Sequence, residues 1–172
     1  IWLGYQRGIT KINLETDQRT EYYVIPRFNH ITGWVDFDGI RYITSDDGNL
    51  LAMEINTGAI SRIKLPDDVM TIIFLGSSSR RQLKFTNPVI MDYTLYIGAM
   101  PTDFVDDYSG LDKDDTRGES IILMYDIVGK QWHYIELGKY FGVCKLIPSD
   151  GMIWCIGNRH EVIEGGDFNE FG

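Results

Sequence analysis

The chain has 172 residues, with 16 basic and 25 acidic side chains giving a net charge of −9, and it is 44% apolar and 13% aromatic. That apolar content supports a packed core and excludes general disorder, while the acidic balance argues against broad binding to nucleic-acid phosphates. No apolar run approaches the roughly 20 residues that span a bilayer, so neither nucleic-acid nor membrane contact is expected in this segment.

Taken in chain order, the sequence reads as short strands separated by turn residues. Trp2-Leu3-Gly4 opens it, followed by Gly8 to Asn13 and by Tyr22 to Pro26. The second stretch is the clearest. Ile31–Phe37, Ile40–Ser45, Leu50–Ile55 and Ile60–Leu65 are four strands, joined by Asp38-Gly39, Asp46-Asp47-Gly48 and Asn56-Thr57-Gly58. Asp-Gly favours a tight hairpin because Gly takes positive φ without a steric penalty and Asp tolerates it. The alternation of Ile60 to Leu65 suggests one wet face and is broken at Ile60. A hairpin over Val89–Gly98 follows, then Ile122–Gly129 leading into Trp132–Leu137, and last Val143 to about Glu164 around Pro148-Ser149-Asp150-Gly151.

These stretches repeat. Gly8 to Gly48 and Pro26 to Pro66 are each 40 positions, and Ile55 to Ile127 and Leu65 to Leu137 are each 72. Four units result: 1–26, lacking an opening strand; 27–66, complete; 67–138, enlarged; and 139–172, cut short. Units of about 40 residues, each a four-stranded meander, point to a β-propeller. The expected fold is therefore all-β: a propeller or propeller fragment of about four four-stranded antiparallel blades, two of them incomplete, within the single segment 1–172. An open arc would expose two apolar flanks, so further blades or another copy are expected to complete the ring. The chain begins at Ile1 and shows no signal peptide, which reads as processing or as an excerpt of something longer. No compartment is assigned.

Tyr125-Asp126-Ile-Val-Gly129-Lys-Gln-Trp132, preceded by Thr94-Leu-Tyr-Ile-Gly98, resembles the kelch repeat. Ile1-Trp-Leu-Gly4 with Gly8-Ile9 and Ile12-Asn13 is similar to the Trp-x-Gly repeats of two-component-regulator propellers, the sensor regions of some bacterial receptors. Both resemblances imply a propeller. The first implies a non-catalytic binding or scaffold role with a protein partner, and the second implies a ligand-sensing extracellular module. A propeller enzyme of hydrolase or lyase type, with its site in a central channel, is the third reading.

Antiparallel geometry puts the loop entering a blade and the loop between its second and third strands at one end. In the third unit both are long, and long loops in compact domains are functional or disordered. Asp67–Asn87 is expected to form an extra hairpin, with Thr71–Leu75 and Gln82–Phe85 as its strands, and offers Arg80, Arg81 and Lys84. Met100–Ser120 is acidic and carries Phe104, Asp106, Asp107, Tyr108 and Arg117. With His160 and His30 at the same end, these form a candidate binding face; a solvated acidic loop folded on its basic neighbour accounts for them as well. Asp112 and Asp114 alternate as in a Ca²⁺ loop, but the required Gly falls one place late at 118 and no Glu follows at the right distance, so a solvated run fits better. No phosphate loop, His-Glu-x-x-His, Cys-x-x-Cys or Gly-x-Ser-x-Gly occurs; no catalytic residue, metal or cofactor is assigned. Cys144 and Cys155 lie across a hairpin, as a cross-strand disulfide or as two buried thiols. Trp2, Trp34, Trp132 and Trp154 are expected to pack between blades.

Overall fold

The computed structural model describes residues 1–5, 8–23, 30–67, 69, 83–101, 120–137 and 141–159. The all-β expectation holds. Fourteen strands are described: β1 Trp2–Tyr5, β2 Gly8–Ile12, β3 Arg19–Tyr23, β4 Ile31–Phe37, β5 Ile40–Ser45, β6 Leu50–Glu54, β7 Ile60–Ile63, β8 Leu83–Phe85, β9 Val89–Met91, β10 Thr94–Pro101, β11 Ile121–Asp126, β12 Gln131–Glu136, β13 Phe141–Ser149 and β14 Met152–Arg159. They form four antiparallel sheets: β1–β3, β4–β7, β8–β12 and β13–β14. No sheet closes on itself among the described residues. No helix among them is long and apolar enough to cross a membrane.

The turns dictate the hairpins. The first two strands of the second, third and fourth sheets are joined by two residues that both take positive φ: Asp38 and Gly39, Asp92 and Tyr93, Asp150 and Gly151. This is the twist that matches two flanking strands. Farther along, the N–H of Ile55 donates to Gly39 O at 2.9 Å, and that of Ile127 donates to Tyr93 O at 3.0 Å. The second and third sheets therefore repeat at the level of single hydrogen bonds.

A second irregularity recurs at one place in each of the last three sheets. In β4 the extra residue Thr32 lies between the pairs Ile31–Ser45 and Gly33–Thr44. In β13 it is Cys144, between Val143–Gly157 and Lys145–Ile156. In the third sheet, β8 and β9 pair with successive parts of β10, at Phe85–Ala99 and Val89–Tyr96. They are one first strand interrupted at Thr86-Asn87-Pro88, a position where proline is tolerated. Leu83–Phe85 thus belongs to the third sheet itself, where the sequence suggested a strand of a separate hairpin. Residues 71–75, its expected partner, lie outside the described residues.

The sheets pack in chain order. Ile9 and Tyr22 of the first sheet meet Ile43, Leu51, Met53 and Ile60 of the second. The opposite face of the second sheet, with Tyr42, Leu50 and Ile63, meets Phe85, Leu95, Ile97, Ile121 and Leu123 of the third. The third presents Val89, Tyr96 and Ile122 to Val143, Leu146, Ile153 and Cys155 of the fourth. Ile60 broke the alternation because the second sheet has no wet face: Ile60 and Ile63 enter different cores. Each fully buried Leu or Ile contributes about 1.5–3 kcal/mol.

Between sheets, β4 lies against β9, and β13 lies against both β9 and β10. Glycine permits it. A Cβ on Gly33 would stand 2.8 Å from Asn87 Cβ, and one on Gly98 would stand 2.4 Å from Val143 Cγ1. A polar thread crosses the same place. The Thr32 and Thr44 hydroxyls reach Thr86 O at 3.3 and 2.9 Å, and Thr86 Oγ1 accepts from the N–H of Gly98 at 3.0 Å. Asn87 Nδ2 donates to Leu146 O at 3.1 Å, while the Leu146 N–H donates back to Asn87 Oδ1 at 3.3 Å. Three sheets are tied by groups whose burial would be costly unpaired.

Candidate functional site

Register gathers several chain ends at one end of the stack. Pro101 pairs with Leu83 and Ala99 with Ile121, so the two long segments of the third unit leave their sheet together, at Leu83, Pro101 and Ser120. The β5–β6 turn of the second sheet reaches the same place: a Cβ on Gly48 would stand 2.6 Å from Leu83 Cβ. Leu137, whose N–H donates to Ser120 O at 3.0 Å, ends the third sheet there. The Ser120 hydroxyl is buried and makes no hydrogen bond among the described residues.

Of the residues singled out by sequence, Lys84 is described. It lies on β8, half-buried, paired with Met100 at this end. Arg80, Arg81, Phe104, Asp106, Asp107, Tyr108, Asp112, Asp114, Arg117 and His160 lie outside the described residues. Among the described residues, no group of three His, Cys, Asp or Glu side chains is arranged to hold a metal ion.

His30 belongs to the same end and is clasped there. Its N–H donates to Asp46 Oδ1 at 2.9 Å, its Nδ1 lies 3.1 Å from Asp46 Oδ2, and the Asp46 N–H donates to His30 O at 3.0 Å. The neighbouring Ser45 hydroxyl donates to Asp47. Ser45, His30 and Asp46 therefore do not form a nucleophile relay, which requires the serine to bond the imidazole. The His–Asp pair instead fixes how the chain enters β4.

Away from that end, the sequence reading missed one ion pair, between a buried arginine and a partly exposed aspartate. Arg41 is 3% exposed; its Nε and Nη2 each lie 2.7 Å from an oxygen of Asp36, and its guanidinium stands 5.4 Å from the Trp34 ring centre. The signal was available, because a two-residue turn at 38–39 makes Asp36 and Arg41 face one another. Tyr125 and Trp132 pair in register, with ring centres 4.8 Å apart. Asp126 Oδ1 accepts the N–H groups of Val128 and Gly129, both at 2.9 Å, closing the turn between them.

Compared with known proteins, the chain matches no protein-family model and no curated protein.

The cysteines are free thiols, Cys144 exposed and Cys155 half-buried. The β13 bulge puts Leu146, not Cys144, opposite Cys155. Burial pushes the Cys155 thiol above its ordinary pKa, with the nearby Cys144 adding to the shift. Of the tryptophans, Trp132 packs on the core between the second and third sheets, whereas Trp154 is 57% exposed.

Proposed function

We propose that the chain is a non-catalytic binding or scaffold module of β-propeller architecture, presenting the loop end of its third sheet to a protein partner. Sheets that pack one on the next in chain order support the architecture. The observation that carries the partner reading is the register around Leu83, Pro101 and Ser120, which roots two long segments side by side on rigid strands. Binding residues concentrate on such loops because the scaffold beneath them bears the cost of order. Their sequences are of opposite charge, suited to steering a partner with its own charge pattern.

Deletion of 102–118, bridged by a short Gly-Ser linker, is the test. The shortened chain is expected to keep the parent's circular dichroism and thermal unfolding and to lose proteins that the parent retains in affinity capture followed by mass spectrometry. Identical retained sets would refute the assignment.

A further inference from the structure

The hairpin turns give a common count for the second strand of each of the last three sheets. The third residue after the turn is Tyr42, Tyr96 or Trp154. Tyr42 is 4% exposed, covered by the third sheet, and Tyr96 packs on the core shared with the fourth. Trp154 stands at the same count, on the face turned away from Ile153 and Cys155, which pack against the third sheet. It is 57% exposed, and the same strand face carries Met152 at 54% and Ile156 at 49%. Pairing puts Ile147 and Lys145 of β13 beside Trp154 and Ile156. This face has the composition that the second and third sheets bury, and no sheet lies against it among the described residues.

The first sheet has the complementary vacancy. Ile9 and Tyr22 face the second sheet. The alternate positions Ile1 and Leu3 are 60% and 50% exposed, and register places Thr10 and Glu21 on the face of Leu3. In the second and third sheets the face turned to the preceding sheet carries the branched and linear aliphatics, such as Ile43, Leu51, Met53, Leu95 and Ile97. Ile1 and Leu3 are residues of that kind in that orientation.

We infer that the Met152–Trp154–Ile156 face docks on the Ile1–Leu3 face of a second copy of this chain, head to tail, continuing the packing that joins its own sheets. The inference rests on the reading of the sheets as repeating propeller modules and is independent of the loop-end partner. A heterologous contact that closes gives a ring of defined size.

Sedimentation equilibrium of the 172-residue chain is expected to show a concentration-dependent, saturable dimer. Trp154→Glu and Leu3→Glu each alter an exposed side chain and are expected to raise the dissociation constant about 30-fold or more, as loss of an aromatic or apolar anchor does. Their equimolar mixture retains one intact pair of faces and is expected to form a heterodimer. The 102–118 deletion leaves both faces untouched and is expected to dimerise like the parent. A monomeric parent, dimerisation of Leu3→Glu alone through two fourth-sheet faces, or loss of dimerisation in the loop deletion would each overturn the inference.

Discussion

Cys144 owes its exposure to one extra residue in β13. Without that bulge, strict alternation would have set it on the side of the neighbouring core; with it, Val143 and Leu146 turn inward and Cys144 faces out. The two thiols should therefore differ in reactivity. Thiolate is the attacking species, and Cys155 is both half-buried and held above its ordinary pKa, so less of it ionises at neutral pH. Timed alkylation with iodoacetamide at pH 7.5, read by peptide mass spectrometry, is expected to modify Cys144 at least about tenfold faster; equal rates would contradict the placement. The sequence showed that the two cysteines sit across one hairpin. It did not show the bulge, because none of Val143, Cys144 and Lys145 is a glycine or proline. Exposure of Trp154 was illegible for a different reason: an aromatic in a strand looks the same whether or not a neighbour covers it.

Hairpins were the most legible elements. Asp38-Gly39 and Asp150-Gly151 announce themselves, since few residues accept positive φ at two successive positions. Asp92-Tyr93 forms the same turn with a tyrosine at φ 61°, a conformation residue type alone argues against. Its ring lies edge-on to Phe37 at 5.6 Å. The split first strand of the third sheet was the least legible, because Thr86-Asn87-Pro88 reads as a loop when its partner is unknown. That partner explains Gly98, whose missing side chain lets β10 lie against Val143 and Thr86. Gly98→Ala is expected to destabilise the protein by about 1–3 kcal/mol in urea unfolding, as overpacking does. Val143→Ala removes the methyl it would strike, so the double variant should be more stable than the sum of the two single losses predicts. Strict additivity would mean that the strain lies elsewhere.

At the scale of the whole molecule, the repeat spacing of 40 and 72 positions carried the architecture of successive sheets, whereas the way their faces mate depended on packing that no single unit encodes. Three cores separated by sheets should behave as nearly independent terms. Ile43→Val, in the core of the first and second sheets, and Ile122→Val, in that of the third and fourth, are each expected to cost about 0.5–1.5 kcal/mol. Their double variant should match the sum within about 0.5 kcal/mol; a larger departure in equilibrium unfolding would show that the cores are coupled through the polar thread at Thr86 and Asn87. One further consequence follows from pairing between strands adjacent along the chain, interrupted only where β8 and β9 share β10. Closing such pairs forfeits little loop entropy, and none of the described strands waits for a distant one. During synthesis on the ribosome, each completed sheet emerges with a greasy flank ready for the sheet translated next, so the nascent chain can gain its structure from the first residue towards the last.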